Sequence, residues 1–246
     1  MSEYNTNPTA RGATTIARER AGVDAGLRAY MLRVYNYMTL GLAITGATAL
    51  GTYMLAVQNP AVRQFLFASP FKWVVILLPL AFVFFLAFRI NKMSVAAAQA
   101  TFWTYAALVG VSFAVLLFIF TGQSIVRVFF ITAASFGALS LYGYTTQRDL
   151  SAFGSFMIMG LFGIIIASLV NIFVASTMLQ FIISVVGVLV FAGLTAWDTQ
   201  RIKEMYFAGD GEIVAGRKAI MGALTLYLDF INMFTMLLQL FGQRNN

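Results

Sequence analysis

Two aspartates carry most of the chemistry that this 246-residue chain can offer. Asp198 closes the apolar run SVVGVLVFAGLTA and opens the polar stretch WDTQRIKEMY. Asp229, within GALTLYLDFINMFTMLLQL, is the one formally charged side chain well inside a long apolar segment. Cysteine and histidine are both absent, which removes thiolate nucleophiles, disulfides, histidine metal sites and His-dependent triads. Nine acids, sixteen bases, hydroxyls and amides remain. Two carboxyls meeting in a low-dielectric site cannot both ionise easily, and such a pair has three uses. It can offer oxygens to Ca²⁺, which takes about six to eight such ligands, so two acids make a weak metal site suited to passage rather than storage. It can act as a proton-sensitive gate, closed while hydrogen-bonded and forced apart when both groups are charged. It can also share a proton and activate water, as an aspartyl protease does.

The elements that must position these acids are membrane helices. Hydrophobic residues make up 60% of the chain, charged residues 10%, and the mean hydropathy is +0.83, far too apolar for a soluble globule. Runs of about 20 apolar residues, enough to cross a bilayer, fall at 35–57, 71–90, 99–120, 127–145, 153–174, 179–200 and 218–241. The chain therefore reads as an all-α integral membrane protein, with a transmembrane domain over 35–246 and neighbouring helices antiparallel across short loops. The preceding residues, 1–34, read as a polar tail. Within it Ile16, Val23, Leu27, Tyr30, Met31 and Val34 fall near one helical face, as in an interfacial helix.

Topology follows from the bases. With the N-terminus cytoplasmic, twelve of the sixteen Lys and Arg lie on that side, leaving Arg63, Lys72, Arg127 and Arg244 outside. Seven spans then put the C-terminus on the far side. The net charge of +7 is a topology signal, and nucleic acid is not an expected partner.

Asp229 lies about 10 residues into the last span, so roughly 15 Å deep, near the midplane. A charge there costs at least about 3 kcal/mol, so it must face protein or water. Gly222, Thr225, Asp229, Asn232, Met236 and Gln239 share one stripe of that helix. Asp198 taken alone reads as an interfacial carboxylate, solvated or paired with Arg201. Antiparallel geometry changes that reading, because Asp198 precedes and Asp229 follows the same loop. Thr225, Asn232 and, in ASLVNIF, Asn171 can line a path or link helices. Asp149, in TTQRDLS, reads as a cap or turn residue. Gly154, Gly160, Gly163, Gly187 and Gly193 are expected to permit close helix packing, and Tyr35, Tyr37, Trp73 and Trp103 to sit in the interfacial belt.

FAGLTAWDTQRIK, ALTLYLDFINMF and SLYGYTTQRDLS together resemble the Bax inhibitor-1 family of multispanning membrane proteins, in its bacterial branch, from about residue 30 to 242. The resemblance implies a seven-helix bundle whose last helix is central, wrapped by helices 1–3 and 4–6. It also implies a pH-sensitive calcium leak in which an aspartate pair between the sixth and seventh spans senses protons. By motif those positions are Asp198 and Asp229. Arg89, in FFLAFRINKMS, matches an arginine that pairs with the acids in the family's closed state. Where some relatives carry an acid in the second helix, this chain has Leu78 and Pro79.

The expectation is a non-enzymatic membrane protein with no tightly bound cofactor, meeting lipid, protons and Ca²⁺ as the transported ion, in a bacterial inner membrane. Two other readings are weighed against it. A regulator could bind membrane proteins through its N-terminal tail. An intramembrane aspartyl protease is disfavoured because LYLD lacks the GxGD glycines.

Overall fold

The structure, a computed structural model, describes residues 8–245, with side chains from residue 25 onward. Its elements are α1 (Pro8–Gln58), a short α2 (Pro60–Arg63) running into a π-helical turn, α3 (Lys72–Arg89), α4 (Val95–Ile119), α5 (Gly122–Thr145), α6 (Ser151–Val174), α7 (Thr177–Glu204) and α8 (Glu212–Phe241). Seven of these helices are long and apolar enough to cross a membrane. Their starts are written in side chains that accept from otherwise unpaired first-turn amides. Ser94 caps α4 through the Ala97 N–H, Thr121 caps α5 through Ser124, and Ser176 caps α7 through Leu179.

Pro79 lies inside α3 and has no N–H to give, so the Val75 carbonyl four residues back is released. The Ser112 hydroxyl of α4 donates to that carbonyl at 2.6 Å. In hydrocarbon such a group must find a protein partner, and this bond ties α3 to α4.

α8 is the central element. In its spanning window 61% of the residues are buried, against 39% in α7 and 33% or less in the others. It packs on α1 and α4 from one side and on α5 and α7 from the other. α1, α3 and α4 form one group around it, and α5, α6 and α7 the second. The outer faces are apolar: Phe173 is 88% exposed and Phe162 62%, surfaces that only lipid would accommodate. The C-terminal residues fold back, with the Thr121 N–H donating to the Gln243 carbonyl and the Asn245 N–H to that of Ile119, each at 2.9 Å.

Residue 34, where the tail was expected to give way to the first span, lies inside α1, which is unbroken from Pro8. Tyr30, Met31 and Val34 point into the bundle, and the Tyr30 ring lies 5.6 Å from that of Tyr206. This part of the apolar face is covered by protein rather than by lipid headgroups. Leu27 is half-buried against the same core, and Ile16 and Val23 lie outside the residues whose side chains are described.

Candidate functional site

α7 and α8 run antiparallel, and their contacts progress in opposite order. Lys218 reaches the Met205 carbonyl, Gly222 faces Ile202, Asp229 meets Asp198, Gly187 faces Met236, and Ser184 bonds Gln239. α7 extends to Glu204, which sets Asp198 within the helix and at the depth of Asp229. The two carboxyls are in side-chain hydrogen-bonding contact, and both are almost fully buried, at 6% and 4% exposure. Two carboxyls in contact can bond one another only when at least one of them holds a proton. Among the described residues no hydrogen-bond donor reaches the buried Asp229 Oδ2. An acceptor buried without a donor is costly.

The stretch from Trp197 to Lys203 directs each residue to a different neighbour. Trp197 covers Gly154 of α6, where even a Cβ would not fit. Asp198 meets α8, while the Thr199 hydroxyl lies 2.9 Å from that of Ser140 on α5. Gln200 accepts from the Leu150 N–H at 2.9 Å and donates to the Arg148 carbonyl at 2.8 Å, fastening the α5–α6 loop. Arg201 lies over the Trp197 ring, 5.4 Å from its centroid. Ile202 packs on Gly222, and Lys203 donates to the Tyr144 carbonyl at 2.9 Å. Asp198 is thus held by a helix whose neighbours on both sides are pinned.

Other positions singled out in the sequence are placed differently. Arg89 is exposed at the end of α3 and does not reach the acids; among the described residues the ion pair present is Lys218–Asp210, at 2.5 Å. α3 lies mainly against α4, so α3 would have to move for Arg89 to approach them. Thr225 and Asn232 bond carbonyls of their own helix, those of Met221 and Leu228. Asn171 links helices: its amide donates to Gln180 on α7, and its oxygen accepts from the Ser176 N–H as α6 ends in a left-handed residue, Ala175. Gln180 in turn donates to Gln239 of α8.

Asp149 is a turn residue outside the spans. Its carboxylate accepts from the Ser151 N–H at 2.8 Å, and the Ser151 hydroxyl and backbone bonds hold it below the usual carboxylate range. Gly154, Gly160, Gly187 and Gly193 do face side chains too close for a Cβ to enter freely, whereas Gly163 faces open space. Tyr35 bonds Ser140 and Trp103 has a buried indole N–H, so neither is a simple belt residue.

Buried hydroxyls were missed by sequence reasoning. Tyr35, Ser140 and Thr199 form a chain from α1 through α5 to α7, with steps of 2.6 and 2.9 Å. Tyr227, fully buried, bonds Thr45 of α1 at 2.6 Å, and Thr45 also lies 2.9 Å from the Ala106 carbonyl of α4. Ser and Thr are common in membrane helices, and nothing in their spacing announces partners on distant helices.

Fold and site together define an integral membrane bundle of seven helices with a buried carboxyl pair between its central helix and the antiparallel neighbour. A family model described as "Inhibitor of apoptosis-promoting Bax1" matches residues 27–246. The chain is 44% identical over 223 residues to the inner membrane protein YbhL of Escherichia coli K12, covering 89% of this chain and 94% of that protein. It is 45% identical over 233 residues to RP147 of Rickettsia prowazekii, covering 95% and 97%, and 43% identical over 255 residues to a protein of Caulobacter vibrioides, covering 98% of each. The chain belongs to the Bax inhibitor-1 family.

Proposed function

We propose that the protein is a pH-sensitive calcium leak pathway, gated by the proton that Asp198 and Asp229 share. The observation that carries this reading is the contact of the two carboxyls on the central helix and its antiparallel neighbour. While the proton is shared, the pair holds α7 against α8. When the second carboxyl ionises, two like charges stand in contact in a low dielectric, and their repulsion loosens the central helix. The separated carboxylates then present hard oxygens to a divalent cation but are too few to retain it, so Ca²⁺ passes down its gradient. The distribution of basic residues supports a cytoplasmic N-terminus, and the likeness to YbhL supports a bacterial inner membrane.

The test is calcium entry into proteoliposomes loaded with an indicator dye, followed from mildly acidic to mildly alkaline pH. Flux should rise with pH in the wild type. Asp229→Asn and Asp198→Asn, each keeping a neutral hydrogen-bonding partner, should hold the low flux at every pH. Absence of flux, or a pH dependence that survives both substitutions, overturns the reading. Flux that falls with rising pH instead assigns the closed state to the ionised pair, with Arg89 as its counter-charge, and Arg89→Gln would then abolish closure.

A further inference from the structure

A lateral cleft opens between α1 and α5, which do not pack closely on one another. Its volume is about 670 Å³, within the usual range of small-ligand sites of about 300–1,000 Å³. The floor is buried and apolar, built from Met31 and Met38 of α1, Phe136 of α5 and Phe230 of α8. The rim is exposed: Leu32 stands at 52% and Leu141 at 63%, so the opening faces the surroundings of the bundle rather than its axis. Gly137 lies in the wall, and a Cβ placed there would meet nothing within 4 Å. A smaller cavity of about 160 Å³ shares Leu42, Phe129 and Phe230 and continues the cleft toward Leu117 and Ile125.

The two ends of the main cleft differ. One end carries Arg28 together with the hydroxyl groups of Tyr35, Ser140 and Tyr144, and the Lys203 ammonium lies 5.8 Å from the Tyr144 ring centroid. The other end, at Leu42 and Phe129, is apolar apart from Thr39 one turn away. From residue 28 to residue 42 an α-helix rises roughly 21 Å, somewhat more than the roughly 15 Å depth of one hydrocarbon leaflet. A slot of leaflet depth, open sideways to lipid, apolar below and basic at its mouth, has the chemistry of one kind of occupant. We propose that this cleft binds an anionic phospholipid from the leaflet on the Arg28 side, with an acyl chain along Met31, Met38 and Phe136 and the phosphate at Arg28. The negative surface potential of anionic lipid draws a cation at that level, and the cleft converts attraction into a defined position. The proposal does not depend on whether the protein conducts ions.

The full-length protein would be transferred from vesicles of equimolar phosphatidylglycerol and phosphatidylcholine, matched in acyl chains, and its bound lipids counted by native mass spectrometry. One phosphatidylglycerol per chain should be retained in preference. Arg28→Gln should reduce the preference about five-fold, the loss expected for one basic contact near the surface. Gly137→Trp, whose side chain enters open space, should lower occupancy at least about ten-fold by filling the slot. Independently of any variant, a phosphatidylglycerol with a diazirine in its tail should label wild-type residues 31–42 and 133–141. Equal retention of both lipids, or labelling spread over the outward face of α6 as heavily as over the cleft, overturns the proposal. So does a wild-type dimer, free of lipid, that Gly137→Trp converts to monomer, because the cleft would then be an interface between two copies.

Discussion

Asp229 and Tyr227 stand two residues apart on α8 and face different neighbours. The carboxyl meets α7, while the phenol bonds Thr45 on α1 and its ring meets Phe102 edge-on, with centroids 5.8 Å apart. Tyr227→Phe removes that bond, yet Thr45 keeps the Ala106 and Gly41 carbonyls as partners. The expected loss is therefore about 1 kcal/mol, in line with hydrogen bonds between membrane helices, and a fall of roughly 2–4 °C in the unfolding midpoint in detergent. Asp149 gives a pH dependence of known sign. A carboxyl held below its ordinary range supports the start of α6 above the pKa of a free aspartate, about 3.9, and that support fades as pH falls through the folded value. Protection of the Ser151 amide in hydrogen exchange should weaken below about pH 4 in the wild type, and should be weak throughout in Asp149→Ala.

Among the elements, α3 is the one held by few tethers. Val75 and Leu86 are its buried side chains, and its Pro79 leaves a carbonyl that Ser112 satisfies. Ser112→Ala should leave that carbonyl unpaired, at a cost of about 1–3 kcal/mol, and raise hydrogen exchange in α3 while α7 and α8 stay protected. Arg217 also donates to the Met93 and Asn91 carbonyls, so the far end of α3 should exchange least. α5 and α7 behave differently, because they meet backbone to backbone where Gly143 lies against the Ala196 carbonyl. Gly143→Ala must push these helices apart, costing about 1–3 kcal/mol, whereas Gly163→Ala, facing open space, should be neutral or should stabilise α6 by up to about 1 kcal/mol. Thermal unfolding of the two variants side by side measures the difference. From sequence both were glycines in apolar runs, and only the position of neighbouring helices separates them.

At the scale of the whole molecule, the absence of cysteine makes orientation directly measurable. Single cysteines at Phe207, which is 65% exposed between α7 and α8, and at Thr177, at the opposite end of α7, should react with an impermeant thiol reagent from opposite sides. With a cytoplasmic N-terminus, intact spheroplasts should label position 177 and leave position 207 protected. Labelling of position 207 alone would invert the orientation that the basic residues favour.

The seven spans were legible in the chain because a bilayer imposes a length and an apolarity on every crossing helix, a constraint each segment meets by itself. Asp229 stood out for the same reason, since a charge at that depth is costly wherever the helix packs. Its partner was legible only as a possibility. Whether Asp198 and Asp229 touch depends on how far α7 continues and on the register between two antiparallel helices, and neither is a local property. Arg89 shows the converse: a basic residue in the expected motif lies exposed, because α3 packs against α4 instead of the acids. The hydroxyl chain through Tyr35, Ser140 and Thr199 and the cleft between α1 and α5 belong to tertiary structure alone. They arise where segments far apart in the chain, 59 residues between Ser140 and Thr199 and 105 between Tyr35 and Ser140, come together or fail to, and no periodicity within one helix records its distance from another.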